Sequence, residues 1–221
     1  MIGHSTMTHS KTKDHAAQAD SDIAQRLSAL GDDGRDLLFR RARTANTFSA
    51  EPVADALLEE VWDLAQWPPT SANGNPLRIV FIRSPEAKAR LLPCIDEGNR
   101  PKVAAAPVTA VLATDTAFFE SIPKLLPFKP EMRDLLAGRS DRDHIGEFNA
   151  TLQIGYFIMA VRAVGLAAGP MAGFDRAGVD AEFLTGTTWR SLLTVNIGHP
   201  GPAAWYDRLP RHDPSDIVRF V

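Results

Sequence analysis

The sequence predicts a single domain that mixes helices and strands, and three observations support this. Three short apolar runs have the length and composition of strands: residues 77–82, 107–115 and 191–198. Residues 144–165 form the strongest helical pattern, which at ~1.5 Å per residue gives a central helix about 33 Å long. The 221 residues suffice for one large domain with a core, and no internal repeat or long linker divides them.

The amino-terminal region divides into a tail and the start of the domain. Residues 1–22 are predicted to be a disordered tail, because they are rich in polar residues and lack the apolar segment of a secretory signal. The folded domain is expected to span residues 23–221. Residues 23–45 have a helical pattern that Gly31 and Gly34 should break into two helices.

Further helices are expected before and after the first strand. After Pro52, the residues Val53, Leu57 and Val61 fall on one helical face, and the prolines that follow Trp67 end this helix. Residues 85–92 and a short segment near Val179 are the other predicted helices.

Two segments lack a clear period. Residues 118–143 are proline-rich and then charged, which predicts a mobile excursion or a lid. Residues 165–175 contain Gly165, Gly169 and Gly173 around Pro170, and are interpreted as turns.

Composition excludes several classes of function. The net charge of -3 gives no general attraction to nucleic acid or to anionic membranes, and no run reaches the ~18 apolar residues of a membrane span. The single cysteine, Cys94, excludes an internal disulfide and favours a reducing compartment, so a cytoplasmic location is expected. The sequence has no G-x-G-x-x-G, P-loop or G-x-S-x-G motif. The histidines lack the spacing of metal ligands, so no metal site is expected.

Four polar clusters lie between the predicted elements. The first, residues 41–48, places Arg41, Arg43, Thr44 and Asn46 at a predicted helix end. Guanidinium and hydroxyl groups at this spacing suit a phosphate, because arginine makes bidentate, charge-assisted contacts. A solvated basic helix end is the alternative.

The second cluster is residues 67–76, WPPTSANGNP, which we name the polar loop. It offers the short hydrogen-bonding side chains of Thr70, Ser71 and Asn73 on a backbone stiffened by prolines. A flat, polar ligand would suit such a loop, although Asn-Gly alone is typical of an ordinary turn.

The other two clusters carry a lysine and several glycines. Asn99 and Lys102 stand between a helix and a buried strand, where a lysine is either solvated or placed beside a negative charge. Residues 169–174 contain glycines that let backbone N–H groups approach a flat ligand.

Taken in order, these clusters resemble the FMN-dependent nitroreductase family. The resemblance extends from about residue 39 to 210 and rests on R-T-x-N-x-F, P-T-S-A-N-G-N-P, N-x-x-K, G-P-M-A-G-F-D and R-L-P. It implies an α+β nitroreductase-like fold with a central, mainly antiparallel sheet flanked by helices, and a homodimer with the long helix at the interface. The phrases ARTANTF, GPMAGFDR and RLPR are similar to the RutE-like branch, whose members are malonic semialdehyde reductases.

The resemblance also implies the residues that bind the FMN phosphate. These are Arg43, Thr44 and Asn46, joined by Arg208 near the carboxyl terminus. The family pattern has basic residues where this chain has Ala42 and Asn46, so Arg41 or Arg211 is expected to supply the missing charge.

Around the flavin ring the resemblance implies a second set of residues. In the polar loop they are Ser71 and Asn73, with Thr70 less clearly placed. Many relatives have a glutamate where this chain has Ala172. The remaining residues implied are Asn99, Lys102, Pro170 and Gly173.

The implied activity is hydride transfer from NADH or NADPH through flavin N5 to a second substrate, with each product leaving in turn. For the RutE-like branch that substrate is malonic semialdehyde, which is reduced to 3-hydroxypropionate; Arg78 is a candidate partner for its carboxylate. A broad nitro or quinone reductase, a flavin-consuming relative and a non-catalytic flavin-binding protein are alternatives. No catalytic side chain is expected, although Lys102 would give electrostatic support to the ring.

Overall fold

The computed structural model describes residues 29–221, and the chain divides into two compact units between Arg40 and Arg41. The part of the first unit that is described contains one helical turn, α1 (Asp32–Arg35), continued by a wider π-type turn (Asp36–Arg40). The helix predicted to reach residue 45 therefore ends at Arg40, and residues 42–47 have no regular secondary structure. The predicted tail, and the part of the first predicted helix before residue 29, lie outside the described residues.

The second unit, Arg41–Val221, is built on a four-stranded antiparallel sheet. The strand order is β1-β2-β4-β3, and β2 is buried along its whole length because β1 and β4 pair with its two edges. This confirms the α+β class, the antiparallel sheet and the three predicted strands. The strands are β1 (Leu77–Ile82), β2 (Val108–Asp115), β3 (Ala167–Met171) and β4 (Trp189–Gly198).

Strand β3 corrects the interpretation of residues 165–175 as turns. It lies at the sheet edge and pairs only with β4, so the missing N–H of Pro170 removes no bond from a second neighbour. Gly169 allows the segment of residues 42–48 to pack on this strand. A Cβ there would lie 2.7 Å from the carbonyl oxygen of Ala45, whose N–H donates to the carbonyl oxygen of Ala168 at 3.0 Å.

The long helix lies close to its expected position and organises the core. It runs from Arg142 to Ala163, and one face, including Phe157 and Val161, is buried against the sheet and against the helix Asp55–Ala65. The opposite face is also apolar but exposed: Phe148 is 58% exposed, Leu152 42% and Tyr156 47%. The helices of the second unit are α2 (Asp55–Ala65), α3 (Pro85–Leu91), α4 (Arg100–Ala105), α5 (Ile122–Leu125), α6 (Met132–Ala137), α7 (Arg142–Ala163), α8 (Arg176–Phe183) and α9 (Pro214–Ile217).

The excursion of residues 118–143 contains short helices, which its weak periodicity did not predict. Its own small core consists of Phe118, Ile122 and Leu136, all buried. The Phe118 ring also packs on the polar loop, because a Cβ on Gly74 would lie 2.9 Å from Phe118 Cδ2. The excursion therefore forms a wall beside the polar loop.

Candidate functional site

The residues predicted for the phosphate line one cleft of about 270 Å³. One side is the segment of residues 42–48, which carries Arg43, and the other is the carboxyl-terminal segment that carries Arg208 and Arg211. Of the two candidates for the missing charge, Arg211 lines this cleft and Arg41 does not. The lining residues are Ala42, Arg43, Thr44, Asn46, Tyr206, Asp207, Arg208, Leu209 and Arg211.

Reciprocal hydrogen bonds hold the two sides of this cleft together. Arg43 Nη1 donates to the carbonyl oxygen of Tyr206 at 2.7 Å, and Arg208 Nη2 donates to that of Ala42 at 3.1 Å. The backbone N–H of Asn46 donates to the carbonyl oxygen of Ala204 at 3.0 Å. A guanidinium has five N–H donors, so Arg43 retains donors for an anion after this contact. Three arginines against the single carboxylate of Asp207 make the cleft suitable for a phosphate.

The polar loop has an unusual backbone. Residues Ser71–Asn73 form a short turn of 3₁₀ type. Within it and just after it three residues have left-handed backbone angles, Ala72 at φ 53°, Asn73 at φ 52° and Asn75 at φ 43°. Such conformations cost on the order of 1 kcal/mol or more each and persist only where neighbours impose them. The excursion is one such neighbour, because Asn73 Nδ2 donates to the carbonyl oxygen of Leu125 at 2.8 Å.

Two buried amides of helix α7 also hold this loop, and the sequence analysis missed both. Asn149 contacts Ser71, while Gln153 contacts Asn75 and Leu77. They are 3% and 0% exposed. Their position in the sequence could have indicated this role, since two amides one turn apart interrupt the buried face of an otherwise apolar helix.

Asn99 and Gly173 are brought together at the other predicted cluster. Asn99 Nδ2 lies 3.4 Å from the carbonyl oxygen of Gly173, and a Cβ on Gly173 would lie 2.8 Å from the same nitrogen. Lys102 stands one turn further along α4 and is partly exposed. Pro170 lies three residues before Gly173, in β3, so the two predicted residues of this segment flank the end of one strand.

Arg78 is occupied within the protein, which removes the reason for assigning it to a substrate. Its Nη2 forms an ion pair with Asp115 Oδ2 at 2.7 Å. Its Nη1 donates to the carbonyl oxygens of Asn75 and Leu77, both at 2.9 Å. Arg78 therefore ties the end of the polar loop to the sheet.

A second cavity, of about 570 Å³, lies between the polar loop and the excursion. Apart from Ser71 its wall is mainly apolar. Its one cationic side chain, Arg139, donates to both carboxylate oxygens of Asp141 at 2.7 Å, which balances its charge. The lining residues are Ser71, Met132, Leu135, Leu136, Arg139 and Ile145.

Lys88 on α3 is a buried lysine behind helix α4. It is 8% exposed, and its ammonium donates to the carbonyl oxygens of Val103, at 2.8 Å, and Ala106. These carbonyls end the helix whose first turn carries Lys102. Burial removes water from the ammonium and lowers the pKa of Lys88 to about 8.

This pKa predicts that the free energy of unfolding rises between pH 8 and about pH 10.4, the ordinary lysine value. In that window the unfolded chain keeps a proton that folded Lys88 has released, so raising the pH favours the folded state, by on the order of 3 kcal/mol in all. Denaturant unfolding across this range should show a shallower rise for Lys88→Met than for the exposed control Lys124→Met. Equal slopes in the two variants would contradict the assignment.

Among residues 29–221, no helix is both long and apolar enough to cross a membrane. Within the same residues, no group of three or more His, Cys, Asp or Glu side chains is arranged to hold a metal ion.

Comparison with known sequences places this arrangement among related proteins. A model of the Nitroreductase family matches residues 39–199. A Streptomyces coelicolor protein provisionally named NADH dehydrogenase/NAD(P)H nitroreductase is 55% identical over 175 residues, which cover 79% of this chain and 87% of that protein. A Burkholderia lata protein with the same provisional name is 48% identical over 195 residues, covering 88% of this chain and 100% of that protein.

Solved structures share the fold at much lower identity. A nitroreductase-like protein from Exiguobacterium sibiricum, solved in complex with FMN, has a TM-score of 0.77 at 16% identity and covers 88% of this chain and 100% of its own. A nitroreductase family protein from Streptococcus pneumoniae has a TM-score of 0.75 at 20% identity, covering 83% of this chain and 98% of its own.

Proposed function

Because the chain belongs to the nitroreductase family, we propose that it is an FMN-dependent NAD(P)H oxidoreductase. The observation that carries the proposal is the cleft in which Arg43, Arg208 and Arg211 converge from the two ends of the second unit. Such a cleft suits the terminal phosphate of a mononucleotide, because guanidinium groups bind phosphate oxygens with charge-assisted hydrogen bonds.

Two different sets of residues would bind the phosphate and the ring of the cofactor. Arg43, Thr44, Asn46 and Arg208 would hold the phosphate, with Arg211 as the additional cation. FMN, when bound, would supply hydride transfer at N5 of its ring. The ring would be held by Ser71, Asn73, Asn99, Lys102, Pro170 and Gly173.

A homodimer would complete the site, and the exposed face of α7 supports this. Phe148, Leu152 and Tyr156 recur every four residues and form an apolar strip opposite the buried face. Exposed strips of this kind mark interfaces. A second copy of the chain is the occupant that fits, because self-pairing covers the strip on both subunits at once.

Lys102 would act by charge on the cofactor. A partly exposed ammonium one turn from Asn99 would stabilise negative charge that develops on the ring during reduction. Lys102→Met is therefore expected to lower the midpoint potential of bound FMN by roughly 30 mV, about 1.4 kcal/mol for a two-electron couple. Spectroelectrochemical titration measures this, with Lys124→Met as the control. An unchanged potential would remove Lys102 from the site.

The electron acceptor has two candidates. The RutE-like phrases favour malonic semialdehyde, reduced to 3-hydroxypropionate. The cavity beside Ser71 favours a nitroaromatic compound or a quinone, because its wall is mainly apolar and its arginine is paired with Asp141. With Arg78 paired to Asp115, neither guanidinium is left to bind a small carboxylate. On these contacts the broad nitro or quinone reductase is the better supported candidate.

Steady-state kinetics separates these candidates. The purified protein should be yellow and release FMN, and NADH or NADPH should bleach it under anaerobic conditions. Turnover should then be measured with malonic semialdehyde, nitrofurazone and menadione. A higher kcat/KM for the aldehyde supports the first candidate and a lower one supports the second.

Two results would overturn the proposal itself. Bound FMN that NAD(P)H does not bleach would indicate a non-catalytic flavin-binding protein. A colourless protein that does not take up added FMN would exclude the flavin site altogether.

We also propose a cytoplasmic location, since the proposed reductants are intracellular nicotinamides and the single cysteine is left unpaired.

A further inference from the structure

We infer that Asn149 and Gln153 of helix α7 are positioning residues that fix the direction of hydrogen bonding in the polar loop, so that Ser71 presents its hydroxyl proton to the ligand. The inference rests on the proposed flavin site. It concerns groups that do not themselves touch the cofactor and act through the loop.

The contacts of Asn149 admit only one orientation of its amide. Oδ1 accepts the backbone N–H of Ser71 at 2.8 Å, and Nδ2 donates to the carbonyl oxygen of Ile145 at 2.8 Å. A flipped amide would place a donor against the N–H and an acceptor against the carbonyl. The backbone on both sides therefore determines which atom of the amide faces which neighbour.

This orientation determines what Ser71 can offer. Asn149 Nδ2 also lies 3.3 Å from Ser71 Oγ and donates to it. A hydroxyl has one proton and two lone pairs, so an oxygen that accepts from Asn149 directs its own proton elsewhere. The backbone N–H of Ser71 is already used by Asn149. The hydroxyl proton is therefore what this residue has left to give a ligand.

Gln153, one turn further along α7, fixes the other end of the loop. Its Oε1 accepts the backbone N–H of Leu77 at 3.0 Å, and its Nε2 donates to Asn75 Oδ1 at 3.2 Å. With Oδ1 thus engaged, Asn75 Nδ2 donates to Asn73 Oδ1 at 2.9 Å. The backbone N–H of the strand thus determines which atom of Gln153 donates, and through Asn75 it determines that Asn73 Oδ1 is an acceptor.

Burial is the reason why these amides have strong effects. Each is almost completely buried, and a buried polar group that loses its partner pays the full cost of having been removed from water. The loop also contains the three left-handed residues 72, 73 and 75, which it would not keep unaided. Two amides on a rigid helix supply the external fixation.

Two substitutions at Asn149 separate positioning from support. Asn149→Asp keeps the acceptor for the Ser71 N–H, but its second oxygen accepts the Ser71 hydroxyl proton and turns it away from the ligand. Asn149→Ala removes every hydrogen bond and leaves the hydroxyl free to rotate towards the ligand. Positioning therefore predicts that Asn149→Asp weakens FMN binding more than Asn149→Ala does.

The FMN dissociation constant should rise about tenfold for Asn149→Asp and less for Asn149→Ala, the scale of one hydrogen bond to a ligand. In a Ser71→Ala background the two variants should bind FMN equally, because no hydroxyl remains to be turned. Thr151→Ala, an exposed change on the same helix, is the matched control and should bind like the wild type.

Several outcomes would overturn the inference. One is that Asn149→Ala weakens FMN binding as much as Asn149→Asp does, or more. Another is that the difference between the two variants persists when Ser71 is alanine. Should neither Asn149 variant fold, Ser71→Ala alone decides, since an unchanged dissociation constant would show that its hydroxyl gives the ligand nothing. A wild-type protein that binds no FMN is a separate result, which overturns the proposed function.

Discussion

Replacing Leu152 and Tyr156 together by glutamate is expected to yield a monomer that no longer retains FMN. Both side chains are more than 40% exposed in one chain and lie in the apolar strip of α7. In a homodimer four such side chains would lose their remaining exposed surface, each contributing roughly half of the ~1.5–3 kcal/mol that full burial provides. Four carboxylates in their place would lose this and add charge repulsion, so the dimer dissociation constant should rise more than a thousandfold, in line with about 1.4 kcal/mol per tenfold.

Light scattering coupled to gel filtration measures the mass, and the flavin absorbance of the same peak measures cofactor retention. Leu64→Glu is the matched control, because Leu64 is an exposed leucine of similar exposure (45%) on another helix. A double variant that stays dimeric would place the interface on a different surface. A yellow monomer would show that one chain suffices for the cofactor.

Replacing Arg43 and Arg208 together by alanine is expected to weaken FMN binding at least a hundredfold. The two guanidiniums face one cleft, and hydrogen bonds to charged groups contribute about 1.5–3 kcal/mol each. The same change removes the two contacts that hold the segments together, from Arg43 to Tyr206 and from Arg208 to Ala42. Circular dichroism should therefore establish that the variant is folded.

Riboflavin separates a phosphate contact from a general disturbance, because it has the same ring and no phosphate. Its affinity should be nearly unchanged in the double variant if the arginines contact only the phosphate. Arg133→Ala provides the matched control, since Arg133 is a partly exposed arginine paired with Glu120. Equal losses for FMN and riboflavin would mean that the cleft shapes the ring site instead.

The strands of the sheet were predictable where the local sequence alone, a short apolar run, decides the structure. Strands β1, β2 and β4 are short apolar runs, and burial follows directly from their composition. Strand β3 was not predictable in this way. Gly169 and Pro170 favour a turn locally, and only the sheet edge and the packing of Ala45 make an extended strand the better solution.

The candidate site likewise has residues that the sequence could predict and residues that only the folded structure identifies. Side chains with distinctive chemistry, such as Arg43, Arg208 and Lys102, could be selected from the sequence. What holds them could not be, because Asn149 and Ser71 are 78 positions apart and meet only in the folded chain. Arg78 is a similar case, since its pairing with Asp115 depends on the register of β1 on β2.

Helix α7 carries both the exposed apolar strip and the two buried amides that hold the polar loop. Under the proposed assembly, thermodynamic reciprocity then applies: whatever factor pairing adds to flavin retention, flavin must add to pairing. Dilution of the protein and a shortage of flavin would therefore have the same result, because each would favour the monomer without FMN.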